Sequence, residues 1–135
     1  MLVLDNEAFS LWAEDDERMR ARITLAQEKG FVTITSAATI VETAQGGQAG
    51  QRLRFKRSKL SVIDVTSEVA DLAARLLVAT GLSGHDCAVD AIVVATAASA
   101  SGAAKVASSD GTHIPKLCSV ATELRDGPPV DWLRV

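Results

Sequence analysis

Asp86-Cys87-Ala88-Val89-Asp90-Ala91-Ile92-Val93-Val94-Ala95-Thr96-Ala97, followed by Ala104-Lys105-Val106-Ala107-Ser108-Ser109-Asp110, is the stretch that decides the fold. Its first part predicts an alanine-rich helix over 86–101 that is apolar nearly all round. Such a helix is buried, and its small side chains let neighbouring elements approach closely. Ala104 to Ser108 then reads as a strand, and Ser109-Asp110-Gly111 as a turn.

Working outward, strands and helices alternate. Leu2-Val3-Leu4 reads as a buried strand. Residues 6–13 and 15–29 read as helices, the second with Met19, Ile23 and Ala26 on one stripe and Gly30 as its stop. Phe31 to Thr35 is a β-branched strand, and Ser36 can cap a helix running to about Gln45. Gly46-Gly47 breaks that helix, Gly50 marks a loose connection, and 51–59 is again helical. Leu60 to Val65 is a third strand. Thr66 or Ser67 caps the next helix, with Val69, Leu72, Ala73, Leu76 and Leu77 at helical spacing before Gly81 and Gly84. His113 to Leu117 reads as a turn or short helix, and Cys118-Ser119-Val120 is a candidate fifth strand. The tail from Gly127 to Trp132 is stiff, and Trp12 and Trp132 read as packing anchors. The expectation is one α/β domain over 1–135, a three-layer αβα sandwich around a parallel sheet of four to five strands.

A chain of 135 residues is the size of one domain and needs no staple. Its 47% apolar and 23% charged residues exclude general disorder. No apolar run reaches the roughly 18 residues that span a bilayer. Asp5 and Glu7 stand where a secretory leader carries basic residues, so the chain is expected to be cytoplasmic. Cys87 and Cys118 read as buried free thiols; a zinc site from His85, Cys87, His113 and Cys118 has no standard ligand spacing. His85 and His113 read as loop histidines. Gly46 to Gly50 lacks the Lys-Ser/Thr ending of a phosphate-binding loop.

Four acids each interrupt or end an apolar run: Asp5, Glu42, Asp90 and Asp110. Each has a bland reading alone, as a helix cap, a solvated helix position or a turn residue. Together, at the edge of buried elements and with no basic residue nearby in sequence, they suggest a hard cation. Asp86 lies four residues before Asp90 and can share its face. In open parallel sheets, sites form beyond the carboxyl ends of the strands, where all four acids can meet. The net charge is −3, yet Arg52, Arg54, Lys56, Arg57 and Lys59 fall within eight positions and form a local basic patch that can bind phosphates. The alternative is a solvated helix face or a protein-binding patch.

These motifs carry a resemblance. Leu2-Val3-Leu4-Asp5, Ile40-Val41-Glu42, Asp86 to Ala91 with Val94 to Ala97, and Val106 to Asp110 agree in order and spacing with the PIN domain. The chain resembles in particular the VapC-type toxins of toxin–antitoxin pairs, over nearly its whole length. The resemblance implies Mg²⁺- or Mn²⁺-dependent cleavage of RNA, a cognate antitoxin and a homodimer. By motif, Asp5, Glu42, Asp90 and Asp110 form the acidic pocket, Asp86 is a possible fifth member, and Ser108 is a hydroxyl beside the last acid. The family usually has a small hydroxyl residue after the first Asp; this chain has Asn6, able to orient a carboxylate or water, and Glu7. Asp5 and Asp90 are expected to bind the metal directly, with Glu42 and Asp110 binding through water or completing a second site. Two other readings stay open: a PIN-like RNA- or protein-binding module without turnover, and a receiver-like signalling domain, which lacks its late-strand Lys here.

Overall fold

Each short apolar run is followed by a residue that starts a helix, and this punctuation sets the architecture. In the computed structural model, which describes residues 1–135, β1 (Leu2–Leu4) ends at Asp5. The Asp5 carboxylate accepts from the Ala8 amide at 2.8 Å and caps α1 (Asn6–Ala13). Asp16 caps α2 (Glu17–Glu28), which buries Met19, Ile23 and Ala26. Ser36 closes β2 (Thr33–Ser36) and caps α3 (Ala37–Glu42). Then come α4 (Gly47–Arg57) and β3 (Ser61–Ile63). Thr66 caps α5 (Ser67–Thr80), and Gly81 stops it in the left-handed conformation that glycine adopts without strain. Ser83 caps α6 (Gly84–Ala98), and β4 (Ala104–Ser108), α7 (Ile114–Leu124) and β5 (Val130–Arg134) complete the chain.

All five strands are parallel, in the order β3-β2-β1-β4-β5. The chain winds outward from β1 to β3, then returns to lay β4 and β5 on the other side of β1. Winding therefore reverses between β1 and β4, which pair Leu2 with Lys105 and Leu4 with Ala107. A crevice opens at such a reversal, just past the carboxyl ends of the two strands. Alternation along the strands separates two cores. Leu2, Leu4 and Ala107 pack with Phe9, Met19 and Leu53 under α1, α2 and α4. Val3 and Val106 pack with Leu76, Val94 and Leu117 under α5, α6 and α7. The result is the three-layer αβα sandwich, with every strand of the sheet parallel. No helix is long and apolar enough to cross a membrane.

The expectations fail where short motifs were ambiguous. Cys118-Ser119-Val120 is not a strand but the middle of α7, whose buried residues Ile114, Leu117, Cys118 and Ala121 follow a helical period. His113 is the cap position of that helix. The fifth strand is the tail itself, where Pro128-Pro129 keep the chain extended into β5. The helix begun at Ser36 stops at Glu42, short of Gln45. Gly50 is no loose connection: it is buried inside α4, and a Cβ there would run into the Gln45 carbonyl. Glycine at this position lets the α3–α4 turn lie directly on the helix.

The tail also supports the end of β4. The Trp132 indole N–H donates to the Ser108 carbonyl at 3.0 Å, and its ring lies against Gly111, where an added Cβ would sit 3.3 Å away. Trp132→Ala removes both contacts and half-buried ring surface. We expect it to lower stability by about 2–4 kcal/mol in urea unfolding, and Trp132→Phe by about 1 kcal/mol, the worth of the hydrogen bond. A Trp132→Ala chain as stable as the parent would show that the tail carries no packing role.

Candidate active site

The reversal between β1 and β4 positions the acids. Asp5 follows β1 directly and is 6% exposed. Ser108, fully buried, ends β4, and Asp110 lies two residues beyond in the turn. Glu42 is the last residue of α3, the helix that starts from the end of β2. Asp90 sits in the second turn of α6, which runs back against the strands, so its first turns lie at their carboxyl ends.

Asp110 is held most tightly. One carboxylate oxygen accepts from the Thr112 amide at 2.7 Å and the His113 amide at 3.0 Å; the other lies 3.0 Å from His113 Nδ1. Burial would raise its pKa, but the two amides and the imidazole outweigh burial and leave it lowered. Burial likewise raises Asp5; the Ser108 hydroxyl and the Ala8 amide only partly offset this, and the Glu7 charge adds to it. Glu42 is exposed at the end of α3; the protein packed along one side of it and the charge of Asp5 raise it. Asp90 is displaced furthest. Burial, then the charges of Asp110, Glu42 and Asp5, push it up to about 6 against the opposing pull of His113. All four acids thus lie within one another's field around Asp90.

Two of the four have structural work. Asp5 caps α1, and Asp110 organises the turn into α7. Asp90 and Glu42 have none: Asp90's nearest polar partner is His113 Nδ1 at 3.9 Å, beyond hydrogen-bond range, and no Lys or Arg pairs with any of the four. An ionised carboxylate in that position is unfavourable unless a cation joins it. The donor set is all oxygen and largely carboxylate, which suits Mg²⁺ or Mn²⁺. Asp5, Glu42 and Asp90 share a field but are not gathered closely around one point: no three of the four acids bring donor oxygens within 4.8 Å of one another.

Other candidates scatter. Asp86 is exposed at the first turn of α6, and the charges acting on Asp90 are Asp110, Glu42 and Asp5. Asn6 is half-buried, its side-chain oxygen 2.8 Å from the Glu7 amide. Glu7 turns aside to accept from the Ser109 hydroxyl at 2.5 Å. In the basic stretch, Lys56 pairs with Asp15 at 2.6 Å and lies over the Trp12 ring, and Lys59 lies over the exposed ring of Phe55. Arg52, Arg54 and Arg57 are exposed. Arg54 and Arg57 line a groove of about 200 Å³ with Phe9, Leu53 and the α3 residues Ile40 and Thr43. The basic groove therefore borders the helix that carries Glu42.

The four-residue zinc set does not assemble. His85 is exposed, and Cys118 is buried in α7, its thiol pushed up to about 12 by burial and by Asp131. Cys87, Asp90 and His113 do come together, their donor atoms all within 4.8 Å of one another. Burial raises the Cys87 thiol, and Asp90, Asp86 and Asp110 add to it. His113 is not a loop histidine but a half-buried group clasped to Asp110. The sequence carried one signal for this cluster, Cys87 and Asp90 three apart on one helix.

Asp90 makes stability depend on pH with a defined sign. Its folded pKa lies above its unfolded value, so the folded state binds the extra proton, and stability falls as pH rises from about 4 through about 6. Asp5 and Glu42 act in the same direction; the lowered Asp110 acts only at more acid pH. With 26% of the Asp90 side chain exposed, water reduces the effect to about 1–2 kcal/mol. The metal-free chain should be more stable at pH 5 than at pH 7.5, and Mg²⁺ should restore stability at pH 7.5. Asp90→Asn should flatten both responses in thermal melts. An unchanged pH slope in that variant would mean that Asp90 is not the crowded group.

No protein-family model matches the chain, and no curated protein matches it significantly.

Proposed function

We propose that this chain is a metal-dependent endoribonuclease that hydrolyses phosphodiester bonds in RNA, the toxin of a type II toxin–antitoxin pair. The observation that carries the reading is Asp90: a carboxylate with no hydrogen bond, raised by burial and then by three other acids, at the point where the sheet reverses its winding. The resemblance of the motifs around Asp5, Glu42, Asp90 and Asp110 to PIN-domain toxins supports it.

In this reading Asp5 and Asp90 hold Mg²⁺ or Mn²⁺, and Glu42 and Asp110 act through water. The bound ion would supply an activated water and neutralise charge growing on the phosphoryl oxygens. Ser108 keeps Asp5 oriented through its hydroxyl, Asn6 orients a water beside the first acid, and His113 Nδ1 holds Asp110 in place. Arg54 and Arg57 draw the RNA backbone along the groove beside α3, with Arg52 further along the same helix. Lys56 braces α4 against Asp15 instead of gripping substrate. A cognate antitoxin and a homodimer complete the proposal, with action in the cytoplasm.

One observation favours a binding module without turnover. Both oxygens of Asp110 are already engaged by the chain and Asp5 caps α1, which leaves Asp90 and Glu42 as the acids without structural work.

Asp5→Asn or Asp90→Asn should reduce Mg²⁺-dependent RNA cleavage by more than the roughly 10–100-fold that losing an outer-shell partner costs. Chelator should abolish the parent's cleavage. RNA that binds but stays intact in Mg²⁺ and in Mn²⁺ would favour the binding module. In salt titrations, Arg54→Ala and Arg57→Ala should each flatten the slope of log affinity against log salt by about 0.7. Lys56→Ala should leave that slope unchanged while lowering stability.

A further inference from the structure

The acids that act on Asp90 are hard donors, but two side chains gathered close to its carboxylate are not. Cys87 lies three residues earlier on α6, one turn back on the same face. His113 reaches in from the start of α7. The thiol, the carboxylate and an imidazole nitrogen all lie within 4.8 Å of one another. We propose that Cys87, Asp90 and His113 form a binding site for a zinc-class divalent ion, sharing Asp90 with the acidic cup.

The donor chemistry selects the ion. Sulfur and imidazole nitrogen favour Zn²⁺ and its neighbours over Mg²⁺, and three protein ligands leave a fourth, open position. Tetrahedral zinc, with bonds of about 2.0–2.3 Å, places its ligand atoms about 3.5 Å apart. The observed cluster has to contract by up to about 1.3 Å to reach this. Cys87 is fixed in the helix, 2% exposed. Asp90 and His113 are partly exposed, at 26% and 38% of their side chains, and stand outside the packed core. Asp110 lies 3.0 Å from His113 Nδ1, which also stands 3.9 Å from Asp90, and fixes the ring beside the cluster. The site stands on its own donors. Only its consequence, that zinc withdraws Asp90 from the hard-ion cup, rests on the ribonuclease reading.

Cobalt reports the site without any turnover, so the result is independent of whether the chain cleaves RNA. Co²⁺ added to the reduced full chain in excess Mg²⁺ should produce a thiolate-to-cobalt charge-transfer band that saturates at one equivalent. Zn²⁺ should bleach it. Cys87→Ser should remove the band, and Cys118→Ser should keep it, since that thiol is buried elsewhere in α7. His113→Ala changes only a partly exposed group, and should weaken Co²⁺ at least about 10-fold with the fold intact by circular dichroism. No band in the parent overturns the site. So does a band that survives Cys87→Ser or vanishes with Cys118→Ser, or an unchanged affinity in His113→Ala.

Discussion

Carboxylates crowded at the seam between β1 and β4 are the constraint on which the rest of the structure depends. The seam is central, with apolar cores above and below it, so neither strand can shift to relieve the repulsion. Asp5 is both the residue after a buried strand and the cap of α1. Moving it would uncap the helix and expose Leu4. Asp110 is tied into the turn by two amides. The two remaining acids arrive on helices, and the small residues of α6 set how near Asp90 comes. Ala91, Ala95 and Ala98 are buried, and larger side chains there would hold α6 away from its neighbours.

Environment divides the work among chemically similar groups. Amides and an imidazole hold Asp110 below the usual carboxylate range, while burial and the other charges push Asp90 up to about 6. Groups whose pKa values are pushed apart in one crevice are characteristic of sites tuned for chemistry or for ligands. A fold selected for stability alone would place Asn or Ser at position 90, since nothing in the chain satisfies that carboxylate. The strain at the seam is tolerated because the two apolar cores make up for it elsewhere.

The fold was largely legible because its signals repeat. β1, β2 and β4 are apolar runs closed by Asp5, Ser36 and the Ser109-Asp110 turn, and the α2 and α5 stripes follow the helical period. The fifth strand was misplaced for a physical reason. Cys118-Ser119-Val120 is three residues long, too short to separate a period of 2 from one of 3.6, and the helical stripe emerges only when Ile114 and Ala121 are included. Val130 to Arg134 hides behind two prolines that read as a tail. The four acids were legible from their places at strand ends. The partners of the site were not: His113 reaches Asp110 and Asp90 only because α7 starts where it does. Lys56 looked like part of an RNA grip, and its bond to Asp15, 41 residues away, cannot be read from local pattern.

Asp90 therefore faces two kinds of neighbour. The charges of Asp5, Glu42 and Asp110 act on it, and the Cys87 sulfur and an imidazole nitrogen of His113 lie within 4.8 Å of its carboxylate. Hard ions keep much of their water and bind weakly to few carboxylates, whereas an ion that takes sulfur and nitrogen binds far more tightly per ligand. Two such sites sharing one carboxylate cannot fill independently. Which one is occupied depends on the free concentration of each metal, and Asp90 is the side chain through which one excludes the other. Glu42 and Cys87 mark the two outcomes, since each belongs to one donor set alone.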